Sequence, residues 1–312
     1  ALIKDLFFWS NMFFISFLFV RAQDPLFSQT YMQLMYLNPA LTGELKGWQL
    51  NSQYRNQWHK IDAYQTTVLG VQKNVSKYKS GLGVTILNDQ AGDGSLNTTH
   101  AGINAAKRFG KQDTFEVALG LKIDFGQKSV DYSNWTLGDQ IDNRYGFTLD
   151  SINSDPQQNK VNYMNLTVGI DFKIFRGNLG FSCANINEPN DGIVNKLSSS
   201  IPRRFTTYLS YPLVVHQTIK FYPLLVYAVQ NEFNSILYGI SSQYKFVNSF
   251  VGYRNKDSFI GGIGVNLNRL KVQYSYDLTT STLSNQTGGS HELGVIFRFG
   301  SKEGYDDRNF VF

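Results

Sequence analysis

The chain has 312 residues, enough for one large domain or two. Aromatic residues make up 15% and charged residues only 17%, which is a low charged fraction for a soluble protein. The mean hydropathy of −0.25 excludes a helical membrane protein but allows a β-barrel with a polar inner face. The net charge of +5 comes from scattered basic residues that form no stripe or basic helix, so we expect no nucleic-acid partner.

The first residues of the chain have the pattern of a secretory signal peptide. Lys4 precedes an apolar run from Leu6 to Val20, and Ala22 places a small residue directly before a cut ahead of Gln23. A single membrane-anchor helix is the alternative, but this run is shorter than the roughly 20 apolar residues that a membrane span needs. We predict that residues 1–22 are a signal peptide.

Residues 23–43, the N-terminal segment, precede the first clear strand and contain a predicted short helix that Pro39 helps to end. The apolar side chains on one side of this helix are Tyr31, Leu34, Met35 and Leu37. Two placements are open for the N-terminal segment. It plugs the lumen of a barrel, or it lies at the periplasmic mouth.

From Glu44 onward the sequence repeats the alternation of a strand with one apolar face, and no convincing helix interrupts it. The fourteen predicted strands cover residues 44–58, 62–75, 79–89, 96–109, 112–126, 160–174, 177–186, 203–212, 217–230, 234–245, 247–254, 258–268, 270–278 and 290–300. Apolar faces that extend over about 10 residues fit tilted transmembrane strands. The predicted fold is all-β: an antiparallel transmembrane β-barrel of about 14 strands over residues 44–300, followed by a C-terminal tail at 301–312.

The lengths of the predicted connections support a barrel independently. The long ones all follow odd-numbered strands, at 127–159, 187–202 and 279–290. The tight turns at 109–112, 175–177 and 266–270 follow even-numbered strands. This sorting is typical of a barrel with short periplasmic turns, long external loops and both chain ends in the periplasm. We also predict that the last strand closes the barrel against the first.

Few residues in the sequence indicate a catalytic, metal-binding or cofactor-binding site. The histidines, His59, His100, His216 and His291, are far apart and have no metal-ligand spacing. Cys183 is the only cysteine, so no internal disulfide is possible. The sequence predicts neither a metal nor a cofactor.

An outer-membrane lipase would need a serine and a histidine together on the outer wall of the barrel. Ser275 and His291 belong to the same final hairpin, but Ser275 lies on its polar, inward face, so we predict no enzyme. The charged and titratable residues predicted to face the lumen are Arg55, His100, Arg108, Glu116, Lys122, Asp124, Asp171, Lys173, Lys271, Asp277, Glu292 and Arg298. They either support one another structurally or line a selective pore.

Short motifs occur in order at both ends of the mature chain. The N-terminal motifs are Gln23–Gln29, Leu37–Gly43 and Tyr54–Trp58, and the C-terminal ones are Gly252–Arg254, Tyr274–Asp277 and Gly289–Leu293. The signature residues within them are Asp24, Pro25, Phe27, Ser28, Gln29, Asn38, Pro39, Tyr54, Arg55, Gln57, Trp58, His291 and Glu292. This ordered series covers essentially the whole mature chain and resembles the PorP/SprF family of Bacteroidetes outer-membrane proteins.

This resemblance implies a role in the type IX secretion and gliding machinery, where family members help to export or anchor large secreted or cell-surface proteins that carry a C-terminal sorting domain. The implied partners are such a cargo protein, other type IX secretion components and outer-membrane lipid. A passive or solute-selective porin is the alternative.

External loops on a rigid scaffold usually carry binding. The aromatic anchors that we predict in the longest loop are Trp135, Tyr145 and Phe147. The terminal aromatic that directs barrel insertion is either Phe299 or Phe312.

Overall fold

The computed structural model describes residues 23–111, 114–131, 141–142, 146–147, 159–193, 199–216, 218–281 and 287–300. Within them, fourteen antiparallel strands form a closed barrel, which confirms the predicted fold class. The strands are β1 (Trp48–Gln57), β2 (Tyr64–Val75), β3 (Ser80–Ala91), β4 (Leu96–Lys111), β5 (Phe115–Val130), β6 (Lys160–Ile174), β7 (Gly177–Ala184), β8 (Arg204–Ser210), β9 (Ile219–Gln230), β10 (Phe233–Tyr244), β11 (Val247–Arg254), β12 (Ser258–Leu267), β13 (Leu270–Thr279) and β14 (Ser290–Phe299). A further short strand, Leu213–His216, also pairs with β9.

The barrel closes where the two ends of the strand order meet. Trp48 of β1 lies opposite Phe299 of β14, and Gln57 lies opposite Ser290 at the other end of the same pair. The predicted closing seam is therefore confirmed. Phe299 also stacks on Trp48 with ring centroids 6.1 Å apart, whereas Phe312 lies outside the described residues.

Side chains alternate between a buried inner face and an exposed outer face along the long strands. In β14, Glu292 is 1% exposed while the adjacent Leu293 is 44% exposed. In β5, Asp124 is 2% exposed and Phe125 is 57% exposed. The outward side chains form the apolar wall that a bilayer requires, and the polar faces predicted for the final hairpin line the lumen.

The connections differ in length between the two ends of the barrel. Short ones at one end are 76–79, 112–114, 175–176, 245–246 and 268–269, and the long ones at the other end are 131–159, 185–203 and 280–289. The short-turn end is periplasmic and the long-loop end is external, as in bacterial barrels. The shorter connections 58–63, 92–95, 231–232 and 255–257 also lie at the external end, and the eight-residue connection 211–218 lies at the periplasmic end. Within 131–159, the two-residue strands Ile141–Asp142 and Gly146–Phe147 pair with each other.

The N-terminal segment lies inside the lumen as a chain of short helical turns. They are a 3₁₀ turn at Thr30–Met32, an α-helical turn at Leu34–Leu37 and a 3₁₀ turn at Pro39–Leu41; a further 3₁₀ turn, Ser76–Tyr78, connects β2 to β3. The α-helical turn ends before Asn38, whose φ of −156° and ψ of 120° are the extended angles that a residue preceding proline favours. None of the described helices is long and apolar enough to cross a membrane.

The apolar core of the protein lies between the N-terminal segment and one side of the barrel wall. From the segment it contains Tyr31, Met32, Leu34, Leu37 and Leu41, and from the wall it contains Tyr208, Leu224, Val226, Leu237, Phe250, Ile260 and Ile296. A smaller cluster on the other side joins Phe27 to Val68 and Leu87. The inner face is therefore apolar where strands β8 to β12 meet the segment, which differs from the uniformly polar lumen expected of an open channel.

Candidate functional site

The N-terminal segment runs through the lumen from the external end toward the periplasmic end. Near its start, the Asp24 backbone N–H donates to the Gln230 side chain at 2.9 Å, and Gln230 ends β9 at the external rim. Directly after the segment, Glu44 forms ion pairs with Arg108 and Lys173 at the periplasmic end. The β-strand ends at Trp48 and Phe299 are periplasmic as predicted, but the described N-terminal end of the chain lies near the external mouth.

A buried ionic network joins the segment to four strands near the external end. The Arg55 guanidinium lies 2.8 Å from both the Asp277 and the Glu292 carboxylates. The Ser28 hydroxyl donates to Asp277 at 2.6 Å and accepts from Arg55 at 3.0 Å and from Arg254 at 2.6 Å. We call these five residues, Ser28, Arg55, Arg254, Asp277 and Glu292, the anchoring network.

The Glu292 carboxylate also binds the backbone of the segment directly. Its two oxygens accept from the Ser28 N–H at 2.9 Å and from the Gln29 N–H at 2.7 Å. The Gln29 amide then donates to the Ser275 hydroxyl at 2.8 Å. Because these charge-assisted bonds are buried, removing one partner leaves a charge uncompensated, at a cost of about 3–5 kcal/mol.

Asn38 fixes the middle of the segment to the opposite wall. Its side-chain N–H₂ donates to the backbone carbonyls of Ile170 at 3.0 Å and Phe181 at 3.2 Å, which belong to β6 and β7. Its carbonyl oxygen accepts from the Ala40 N–H at 2.9 Å and caps the turn that begins at Pro39. One amide side chain therefore positions the segment and also stabilises its local backbone conformation.

Inward-facing glycines make room for the segment in the wall. A Cβ on Gly169 would lie 1.8 Å from the Asn38 side-chain oxygen, and one on Gly120 would lie 2.0 Å from the Ala40 nitrogen. A Cβ on Gly81 would lie 1.9 Å from the backbone oxygen of Thr42. The backbone of the segment therefore lies against the wall at positions where no side chain fits.

The periplasmic end of the segment is held by a second set of charges. Arg108 donates to the Thr42 carbonyl at 2.7 Å and to Glu44 at 3.2 Å, and Lys173 pairs with the other Glu44 oxygen. Burial raises the pKa of Glu44, but Lys173 and Arg108 outweigh it and hold this pKa at about 2. Glu44 was predicted to begin the first strand, yet β1 starts at Trp48, and Glu44 lies in the turn that joins the N-terminal segment to the wall.

The start of the segment is tied to the base of the second long loop. Asp24 lies 3.4 Å from Arg204 and accepts from the Asn185 side chain at 3.1 Å. The Arg204 guanidinium donates to the Tyr36 hydroxyl at 2.7 Å, which in turn donates to the Pro25 carbonyl at 2.6 Å. The signature residue Phe27 packs edge-on against Tyr36, with ring centroids 5.4 Å apart.

The signature residues fall into two groups. Those brought together in the lumen by the contacts above are Asp24, Pro25, Phe27, Ser28, Gln29, Asn38, Pro39, Arg55 and Glu292. The others lie on the outer wall or at its external rim: Tyr54, Gln57, Trp58 and His291. His291 bonds to the Tyr274 hydroxyl at 2.7 Å and its ring lies 4.6 Å from that of His59.

Sequence reasoning predicted that Arg55, Asp277 and Glu292 face the lumen, and it named Arg55 and Glu292 as signature residues. Arg254 was named only as part of a family motif, and Arg204 was missed. The signal that was available is the clustering of inward-facing charges on the final strands, since Asp277 and Glu292 occur on adjacent strands with the same inward parity. Strand parity gives the inward direction of each charge. It does not identify Ser28 as their common partner.

The loop anchors are only partly described. Trp135 and Tyr145 lie outside the described residues, and Phe147 belongs to a two-residue strand whose side chains are not described. Their role in binding remains a prediction.

The two residues considered for a lipase face opposite sides of the barrel wall. Ser275 is fully buried in the lumen, whereas His291 contacts Tyr274 on the outside. In the part of the chain that the structure describes, no group of three or more His, Cys, Asp or Glu side chains is arranged to hold a metal ion.

Solved structures share the barrel architecture at low sequence identity. The CymD monoaromatic hydrocarbon channel is 11% identical, with 91% of this chain and 96% of that chain covered and a TM-score of 0.50. The P. putida toluene transporter TodX is 10% identical over 87% of this chain and 94% of its own, with a TM-score of 0.49. Omp33 from Acinetobacter baumannii is 7% identical over 83% of this chain and 100% of its own, with a TM-score of 0.48. These similarities concern the fold alone.

Sequence comparison identifies the family. No curated protein matches the chain significantly. The family profile for the type IX secretion system membrane protein PorP/SprF, in contrast, matches residues 19–297, nearly the whole chain, in agreement with the motif resemblance. With the closed barrel, this match places the protein in the outer membrane. The chain belongs to the PorP/SprF family of type IX secretion system membrane proteins.

Proposed function

We propose that this protein is a non-enzymatic outer-membrane barrel that helps to export or anchor a secreted surface protein carrying a C-terminal sorting domain. Family membership supports a role in type IX secretion, together with other components of that system. The filled lumen supports this proposal independently of family membership. Ser28, Gln29, Met32, Asn38 and Leu41 have no exposed surface inside the barrel.

A lumen filled in this way favours a docking function over passage of solutes. The segment is fixed at both ends by buried charges, so the barrel acts as a closed support for its external surface. The porin alternative needs an open path. The solved channels and transporters share only the fold with this chain and add no support for it.

The external loops are the proposed binding surface for the cargo. Loop 185–203 is well placed, because its base contacts Asp24 of the N-terminal segment through Asn185. Its Asp191 also pairs with Lys128 of β5 at 2.7 Å, which ties the loop to a strand two positions along the wall from β7. In the longer loop 131–159, we propose that Trp135, Tyr145 and Phe147 are the aromatic anchors.

The proposal extends to the route by which the protein reaches the membrane. Residues 1–22 act as the signal peptide, and the mature chain begins at Gln23. A new N-terminus at this position lies one residue from Asp24, close to the external mouth and the proposed binding surface.

Surface display of the secreted partner tests this function. A variant lacking residues 132–158 is expected to insert and fold, as checked by heat-modifiable mobility in gels, yet to lose most surface-exposed partner. The matched control is Ile61→Ala, which alters an exposed side chain in another external connection (54% exposed) and should leave display unchanged. Normal display by a folded loop-deletion variant would contradict the assignment of this loop.

A further inference from the structure

Charge is distributed unequally between the two ends of the barrel. The periplasmic connections, 76–79, 112–114, 175–176, 211–218, 245–246 and 268–269, contain five basic residues and one acidic residue. The basic ones are Lys77, Lys79, Arg176, Lys245 and Arg269. The external connections, 58–63, 92–95, 131–159, 185–203, 231–232, 255–257 and 280–289, contain eleven acidic residues and five basic ones. The periplasmic rim is therefore cationic, although the whole chain carries a net charge of only +5.

Exposed aromatic side chains accompany these cations at the same level. Tyr78 is 58% exposed, Phe175 68% and Phe246 56%. The Lys77 ammonium lies 5.5 Å from the centre of the Tyr78 ring, and that of Lys245 lies 5.4 Å from the Tyr244 ring. Aromatic rings next to lysine and arginine are typical of residues at a membrane–water interface.

The cations of the periplasmic rim are available to a binding partner outside the protein. Lys77, Arg176 and Lys245 are exposed, and none of the three forms an ion pair within the described part of the chain. They follow β2, β6 and β10, so they are distributed around the circumference of the barrel. A protein partner of ordinary size covers one side of a barrel, whereas a lipid leaflet surrounds it. The circular distribution therefore favours lipid.

A cleft on this rim has the composition expected for contact with a lipid. It has a volume of about 450 Å³ and lies between the turns 245–246 and 268–269. Apolar side chains of Phe246, Leu267 and Leu270 line it together with Arg269, Asn266 and Asn268. The cleft therefore offers apolar surface to an acyl chain and a guanidinium to a phosphate.

We propose that the periplasmic rim binds anionic phospholipid headgroups of the inner leaflet of the outer membrane. The turn lysines and arginines contact the phosphates, and the aromatic rings lie among the glycerol backbones. This contact orients the barrel in the membrane independently of any cargo bound at the external end.

The test measures which lipids stay on the purified full-length barrel. The protein is reconstituted in vesicles of equimolar phosphatidylglycerol and phosphatidylcholine, extracted in mild detergent, and analysed for retained lipid by native mass spectrometry. We expect the wild type to be enriched in phosphatidylglycerol. The triple variant Lys77→Gln, Arg176→Gln, Lys245→Gln should lower that enrichment by about fivefold or more. The loss of even one basic residue near an anionic membrane weakens binding by about this factor.

The matched control removes the same charge from the external end, as Lys60→Gln, Arg203→Gln, Lys256→Gln, and should keep the wild-type enrichment. Heat-modifiable mobility confirms that both triple variants are folded. Equal phosphatidylglycerol retention by the rim variant and the wild type overturns the proposal. Chemical cross-linking in cells provides a second measurement. If the rim variant loses a cross-linked periplasmic protein while its lipid retention is unchanged, the rim is a protein-binding surface and the proposal is overturned. Neither outcome depends on cargo display.

Discussion

The hydroxyl of Ser28 donates to the carboxylate of Asp277 at 2.6 Å, although 249 residues separate them in sequence. This bond lies at the centre of the anchoring network, where the N-terminal segment meets the final hairpin. It makes the N-terminal segment an integral part of the barrel interior and suggests direct ways to dislodge it.

Removing the guanidinium at position 55 should release the segment from the wall. In Arg55→Met the Asp277 and Glu292 carboxylates lose their closest common cation, and we expect docking of the segment to weaken by about 3–5 kcal/mol. Limited proteolysis of the folded barrel measures this as faster cleavage within residues 23–43. Lys60→Met, in an exposed external connection, serves as the control. An unchanged cleavage rate in Arg55→Met would show that the network does not hold the segment.

A single methyl group in the wall should displace the middle of the segment. In Gly169→Ala the new Cβ meets the Asn38 oxygen at 1.8 Å, so we expect a destabilisation of about 1–3 kcal/mol and loss of the Asn38 bonds to β6 and β7. Gly261→Ala is the matched control, because its Cβ has no atom within 4 Å. Chemical denaturation in detergent compares the two variants. Equal midpoints would mean that the segment is not packed against β6.

Deleting the N-terminal segment should convert the closed barrel into a conducting one. The wild type is expected to show little current in planar bilayers, whereas a variant lacking residues 24–42 should show stable open events, because the remaining inner face is largely polar. A large steady current through the wild type, without any partner, would favour the porin alternative. A deletion variant that folds but does not conduct would show that other parts of the chain also close the lumen.

Acid should loosen the periplasmic end of the segment through Glu44. Burial raises the pKa of this carboxyl, and Lys173 and Arg108 lower it to about 2 from an ordinary value of 4.5. A depressed pKa contributes stability that is fully present above pH 4.5 and is lost as pH falls through 2, here about 3 kcal/mol. Proteolysis with pepsin across this range measures it. Glu44→Gln should remove this component of the pH dependence, and an identical pH profile in the variant would exclude Glu44 as its source.

The strands were largely predictable because a two-residue period reports which side of the wall each residue faces. The final hairpin illustrates this, since Glu292 and Leu293 were assigned to the correct sides from alternation alone. The contacts across the lumen were not predictable in the same way. Nothing in the sequence near Asp24 indicates that it meets Gln230, 206 residues away, because no periodicity relates a segment inside a barrel to the wall around it.

The apolar part of the inner wall also escaped prediction. Leu224 and Val226 of β9 point into the lumen, where polar residues were expected, and their partners are the apolar turns of the N-terminal segment. β9 is apolar on both faces over much of its length, which in a barrel indicates that something covers the inner face. The continuous apolar run at 221–228 was the available signal for a plug.

The path of the N-terminal segment has a consequence for the order of assembly. Its start lies near the external mouth while the chain re-enters the wall at the periplasmic end, and we expect the segment to be in place before the ring of strands is complete. Ser28 and Gln29 bind Glu292 on β14, the strand that meets β1 at the seam. We expect the beginning of the chain to act as an internal template for folding, which sets the register of the last strand as the barrel closes around it.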